Sequence, residues 1–547
     1  MEKSFLFVDV TNPTWLAYVA FLVIAVYFRF TRILTIRNLD LTLLLLLSTA
    51  IVVTGVYRDA PVPQQPLNGN SPSATPQSFD SLTDTDEIAD ARANIAANAT
   101  PSEDSNNADH SAAVGPVDAM VVADASVIDV AEAVSDGGTL SLTAEKQKHP
   151  IYLWSSMTLM GLTLLLIIRL LFDESLTRRP RLDQNLNQAG LTFLCIPAFA
   201  ILMISVLKYD PAGSTFKAME HGRALLERRD VHVDPKFSGD EQPAPTETLI
   251  AAGGAAMAQL SGNLPKSTTD NPTATGLVEA WLARILVFIA HTLVVLGLLT
   301  IGRQHFASLQ LGISMSCLYL LLPCTAVNVH ELNHVLPAAC LIWAIASYRN
   351  PIVSGVLLGL ASGTLFFAAF LLPLWAVFYG RQGSVKFIVS VSAVGAVLIT
   401  SLMMISGDTS SFTNKLVTTA NWTVYRLLDV SATAGDASLS QLFIRIPMAA
   451  VFFVMLTAMT VLPRPRNLEN LLANSTCLVV AAQMWYPDDI GTYVLWYLPL
   501  FLIVIFRPRL DRFTPPEASE RESTSMPVPT SSPAPSTVAM SRLSFFR

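Results

Sequence analysis

Long apolar runs alternate with short polar clusters along most of the chain. They fall near 15–30, 39–57, 151–172, 190–207, 280–301, 309–326, 334–347, 387–405, 439–462, 471–485 and 493–506. Most are close to the roughly 20 residues that a helix needs to cross about 30 Å of hydrocarbon, and the shortest run to about 14. Residues 352–380 are apolar for longer than one crossing, with Arg349 before them and Arg381 and Lys386 after. One helix would put those basic residues on opposite sides. Two short helices turning near Gly363 and Thr364 keep them together, so a hairpin is expected. The pattern predicts an all-α polytopic membrane protein with about 13 membrane segments.

Composition agrees with that reading. Hydrophobic residues make up 52% of the chain and charged residues 14%, with a mean hydropathy of +0.46. Soluble domains carry about a quarter charged residues. The cysteines Cys195, Cys317, Cys324, Cys340 and Cys477 sit in or beside apolar runs without paired spacing. They read as small packing residues, and no disulfide framework is expected.

The charges are segregated, and that sets an expected topology. Arg29, Arg32 and Arg37 follow the first run, and Arg178, Arg179 and Arg181 follow the third. Arg303, Arg349, Arg464, Arg466, Arg507 and Arg509 fall on the same side of an alternating scheme. Basic residues mark the cytoplasmic side, so the N-terminus is expected outside and the C-terminus inside, in a bacterial inner membrane. The first run lacks the basic flank and small-residue end of a cleaved signal, and reads as a retained helix.

Two polar stretches interrupt the apolar pattern. Residues 58–148 are rich in Ser, Thr, Ala, Pro, Asn and acids, and read as a disordered extracytoplasmic loop. Residues 208–275 read as a second, largely disordered loop, with helical periodicity only in STFKAMEHGRALLERR. The division expected is therefore two helices in 1–57, two more in 149–207, a main membrane core over 276–506 and a disordered cytoplasmic tail over 507–547.

One string carries the pattern of a metal site. His330-Glu331-Leu332-Asn333-His334 has the spacing by which a helix offers two imidazoles to zinc, with Glu331 as general base. A catalytic zinc needs a third protein ligand, and no histidine follows His334. Pro337 belongs most comfortably in a first helical turn, which places the two histidines astride a helix start. A water-exposed polar turn is expected here, with no metal or other cofactor. Zinc on His330 and His334 belongs only to a peptidase alternative.

The neighbourhood of the string resembles a known family. The stretch LYLLLPCTAVNVHELNHVLPAACLIWAIASYRNPIVSGVLLGLASGTLFFAAFLLPLWAVFYG, residues 318–380, is similar to part of the polyprenol-phosphate-dependent membrane glycosyltransferases of GT-C fold, in their mannosyltransferase-like branch. The residues that carry the likeness are Pro323, the polar turn from Asn328 to Asn333, Arg349, Pro351, and Gly355 with Gly359-Leu360-Ala361. The resemblance implies a GT-C-like core over about 39–506 and transfer of a sugar from a polyprenyl-phosphate donor to an extracytoplasmic acceptor. It implies Asp59 as general base, a cleft lined by Asn328, His330 and Asn333, and phosphate contacts from Lys415 and Arg445. Arg284 and Arg426 are further cations on that side. The family often has a lysine where this chain has Leu365, which favours a non-catalytic or transport protein on the same scaffold as the alternative. The partners expected are the bilayer and a polyprenyl-phosphate-linked sugar. No glycine-rich nucleotide loop with its lysine is present, and nucleic acid is not an expected partner.

Overall fold

Most helices begin where the sequence supplies a cap or a proline. The computed structural model describes residues 13–31, 33–58, 150–175, 184–211, 213–229, 243–262, 272–364, 366–420, 436–462, 466–485, 493–510 and 513–516. In chain order the first helices are α1 (Pro13–Tyr27), α2 (Ile36–Arg58), α3 (Pro150–Leu171), α4 (Gln188–Lys208) and α5 (Gly213–Glu227). Next come α6 (Pro245–Leu260), α7 (Pro272–Gln304), α8 (Leu309–Leu321), the short α9 (Pro323–Val327) and α10 (Leu332–Ala346). The last are α11 (Pro351–Thr364), α12 (Leu372–Ile405), α13 (Thr409–Ala420), α14 (Asp436–Val461), α15 (Leu468–Ala482) and α16 (Val494–Phe506). Among the described residues there is no strand. The side chains of Asn187, Ser308 and Asn467 accept backbone N–H groups at the starts of α4, α8 and α15.

Five helices are long and apolar enough to cross a membrane: 36–57, 150–171, 188–208, 276–304 and the broken helix 367–405. Seven more apolar helices of 10–17 residues accompany them among the described residues. The protein is thus an all-helical chain of apolar helices, as an integral membrane protein requires. α16 is buried at every position, so its apolar side chains face protein all round. α8, α10 and α15 are nearly as enclosed, while α3, α4 and α12 leave many apolar side chains exposed for lipid.

The expected hairpin at 352–380 is present. α11 ends at Thr364, a 3₁₀ turn spans Phe366–Leu371, and α12 runs back to a break at Gly380, whose φ of 73° suits glycine. Beyond the break α12 continues alongside α11 again. Gly355, Gly359 and Gly363 form the line of approach. A Cβ at Gly355 would sit 2.7 Å from the Phe387 carbonyl oxygen and would overlap Ser390 Oγ, and one at Gly359 would sit 3.0 Å from Val394 Cβ. In lipid, where no hydrophobic drive pushes helices together, such close van der Waals contact holds them.

Three expectations need correction. The stretch 208–275 is not largely disordered: α5 and α6 pair tightly within it. Gly222 lets them touch, since a Cβ there would meet the Ala252 nitrogen at 2.5 Å. The C-terminal tail, expected to be disordered, is ordered where it begins. Arg507 and Leu510 are buried, and the Phe513 carbonyl accepts the Leu468 N–H at 2.9 Å. The polar turn is not water-exposed throughout, because His334 is buried. Residues 59–149, 486–492 and 517–547 lie outside the described residues, and the expectation for most of 58–148 lies with them.

An ion network closes the end of the bundle where α2 and α15 start and α3 and α16 finish. Arg169 grips Asp40 and also reaches Asp173. Arg507 bonds Asp173 and the Glu469 carbonyl, and Glu469 Oε2 accepts the Leu510 N–H at 3.2 Å. Each buried charge faces an opposite one, which is the condition for holding charge away from water.

Candidate functional site

The site is assembled at the other end of the bundle, from the starts of α6, α10 and α16 and the 3₁₀ turn after α11. α10 begins at Leu332 with Glu331 as its cap residue, so His330 lies before the helix and His334 within its first turn. The histidines therefore do not share a helical face. Pro337 falls in the second turn rather than the first, and it removes the N–H that would otherwise bond the Asn333 carbonyl.

His334 Nε2 lies 2.9 Å from Glu331 Oε2. Its ring packs 5.0 Å from Tyr493 and 6.1 Å from Trp496 at the start of α16. Trp496 stacks on Phe367 at 4.2 Å with planes 9° apart, and Tyr493 stacks on Trp496 at 4.1 Å. The 3₁₀ turn and α16 thus supply one continuous aromatic stack, with His334 against its α16 members.

Glu247 completes the group from the first turn of α6, where Pro245 starts the helix. It is 1% exposed. Burial pushes its carboxyl from 4.5 up to about 8, against the pull of an Ala244 backbone N–H and of His334, with Glu331 pushing it further up. Its Oε1 and the Asn333 Oδ1 are buried without a hydrogen-bond partner among the described residues. Two buried acceptors without partners, near an acid–imidazole pair, make a polar cluster packed against aromatic rings.

The turn before α10 is tethered from two sides. His291 on α7 places Nε2 3.1 Å from the Val329 carbonyl and Nδ1 2.9 Å from the Tyr319 hydroxyl. A carbonyl only accepts, so Nε2 carries the proton and Tyr319 donates to Nδ1. Thr215 Oγ1 accepts the Leu332 N–H at 3.4 Å. His330 stands half-buried with its ring 5.5 Å from Tyr209. Its pKa is lowered by burial and by Arg284, while Glu331 raises it. Arg284 bonds Asp210 at 3.1 Å and the Tyr209 carbonyl at 3.2 Å, and lies over Trp281.

The structure therefore gathers Glu331, Asn333 and His334 with Glu247, Phe367, Tyr493 and Trp496. Asn328 ends α9 beside them, and His330 belongs to the Tyr209–Arg284 side. Lys415 points elsewhere: its Nζ donates to the Ile405 carbonyl at 3.0 Å and its charge acts on His221. That charge, with Lys217 and above all burial, holds the His221 imidazole down at about 4. Asp59, Leu365 and Arg426 lie outside the described residues, as does the Arg445 side chain, whose backbone belongs to α14.

Glu247 was not among the residues singled out from the sequence. The available signal was a proline followed by an acid at the start of a small-residue run, PTETLIAAGGAAMA. Among the described residues no group of three or more His, Cys, Asp or Glu is arranged to hold a metal ion. Comparison with family models, with curated proteins and with solved structures returned no match.

Proposed function

We propose that this chain is a multi-pass membrane enzyme that transfers a sugar from a polyprenyl-phosphate donor to an extracytoplasmic acceptor, with Glu247 as general base. The observation that carries the reading is the buried Glu247 carboxyl, acted on by the charges of the Glu331–His334 pair, which packs against aromatic rings. A carboxyl that titrates near 8 suits proton abstraction at neutral pH, because it is basic enough to take a hydroxyl proton and still partly ionised. In the proposed step the acceptor hydroxyl loses its proton to Glu247 as its oxygen bonds the anomeric carbon. The bond from that carbon to phosphate oxygen breaks, and polyprenyl phosphate leaves with the electron pair. Glu247 takes the role that the resemblance implies for Asp59, and Asn333 offers a buried acceptor to a sugar hydroxyl.

The about 13 crossings, the outside N-terminus, the cytoplasmic C-terminus and the bacterial inner membrane belong to this proposal. They are supported by the basic residues Arg303, Arg349, Arg381 and Arg507 at the end of the bundle opposite Glu247. A binding or transport protein on the same scaffold is the second reading, favoured by the way Glu331 and His334 already satisfy one another. The test uses purified full-length protein in liposomes with a labelled polyprenyl-phosphate sugar and a range of acceptors. Label transfer that Glu247→Gln abolishes, with folding intact, supports the enzyme. Movement of the lipid or sugar across the bilayer without transfer supports the second reading.

A further inference from the structure

The close approach of α11 and α12 leaves an apolar groove along their lipid-facing side. It holds about 550 Å³. Ile352 and Val356 on α11 face Val389 and Ala393 on α12, with Leu249 of α6 closing one end and Lys386 standing at the other. The arrangement follows from the glycines. Gly355 and Gly359 draw the helices into contact along one line, and the branched side chains beside that line stand apart.

The dimensions and the charge name an occupant. From Lys386 to Val397 the helix rises roughly 16 Å at about 1.5 Å per residue. That is one leaflet of a hydrocarbon core about 30 Å thick. Among the described residues Lys386 is the one charged side chain lining the groove, and it stands at the end of the bundle that also carries Arg349 and Arg381. The apolar lining would accept an acyl chain, and an ammonium at its mouth would accept a phosphate.

We propose that this groove binds an anionic phospholipid of the leaflet on the basic side, its acyl chain along α11 and α12 and its phosphate on Lys386. The chain is an apolar rod of leaflet length, and the lysine distinguishes an anionic headgroup from a zwitterionic one. A zwitterionic headgroup brings its own cation to the same place, which cancels much of the attraction. This site lies apart from the cluster at Glu247 and stands whether or not that cluster transfers sugar.

The experiment uses full-length protein in detergent micelles doped with phosphatidylglycerol, with phosphatidylcholine or with inorganic phosphate alone. Thermal unfolding and native mass spectrometry are the readouts. Phosphatidylglycerol is expected to raise the unfolding midpoint by roughly 5 °C more than phosphatidylcholine and to stay bound at one per chain. Lys386→Gln, at an exposed position, should make the two lipids equal, and Ala393→Phe should remove the effect of both by filling the groove. A phosphatidylglycerol preference that survives both substitutions overturns the proposal. So does an equal shift from inorganic phosphate, which would leave no part for the acyl chain. A dimer that Ala393→Phe dissociates also overturns it, making the groove an interface between two copies.

Discussion

Arg169 grips Asp40 with two parallel bonds, Nε to Oδ1 at 2.7 Å and Nη2 to Oδ2 at 2.9 Å. The pair joins α3 to α2 across 129 residues of sequence, and Asp173 passes the alternation on to Arg507 at the end of α16. A bidentate guanidinium–carboxylate pair of this kind fixes the relative position of two helices as well as contributing energy. Because the pair is buried, its partners depend on one another more than surface charges do.

That dependence gives the first expected outcome. Arg169→Gln alone should lower stability by about 3–5 kcal/mol, because it leaves the buried Asp40 charge uncompensated. Asp40→Asn should cost less, because Asp173 still faces Arg169. Asp40→Leu combined with Arg169→Met should recover most of the loss if Asp173 stays on Arg507. Thermal unfolding of the three variants in detergent checks this. A single variant as stable as the wild type would refute the network as a structural clamp.

Glu247 should make stability fall as pH rises. The folded carboxyl titrates at about 8 and the ordinary value is 4.5. Below the ordinary value both states are protonated and the raised pKa costs nothing. As pH climbs from there through the folded value, the unfolded chain ionises first and gains, so stability is lost. The unfolding midpoint should therefore drop between about pH 5 and about pH 8.5, and Glu247→Gln should flatten the drop. Parallel pH profiles for the two proteins would contradict the burial of this acid.

The glycines of α11 should be far less replaceable than others. Gly355→Ala must displace Ser390 or the Phe387 carbonyl, at a cost of about 1–3 kcal/mol. Gly395→Ala on the facing helix meets nothing within 4 Å and should be neutral or stabilising by up to about 1 kcal/mol. Equal effects at the two positions would mean that the helices do not approach along this line.

The His330–His334 string is expected to hold well under one zinc per chain after dialysis. His334 Nε2 is on Glu331 and the His330 ring is on Tyr209, so the two imidazoles do not converge. Metal analysis of the wild type checks this. One tightly held zinc, lost in both His330→Ala and His334→Ala, would promote the peptidase reading instead.

Much of the architecture was legible in one dimension. The positions of the apolar helices, the hairpin at 352–380 and the basic end of the bundle follow from runs, breaks and the placement of Arg349, Arg381 and Lys386. These are local properties. A run of apolar residues is apolar wherever it packs, and an arginine at its end is charged in every context. The spacing of Gly355 and Gly359 was likewise visible, and its use as a contact surface is what the spacing permits, whereas Gly363, expected at the turn, extends the same line.

The candidate site was not legible in the same way. Glu247 lies in a stretch whose alanines and glycines give no apolar stripe, and α6 is buried only because α5, α7, α11 and α12 surround it. His334 looked like one member of an exposed turn until α16 brought Tyr493 and Trp496 against its ring. α16 itself reads from hydropathy like any lipid-facing helix, yet every one of its residues is covered by protein. The reason is physical: hydrocarbon and protein interior are alike in polarity, so a sequence determines which segments leave water. It does not determine what those segments meet, which is decided by the fit of side chains from distant parts of the chain.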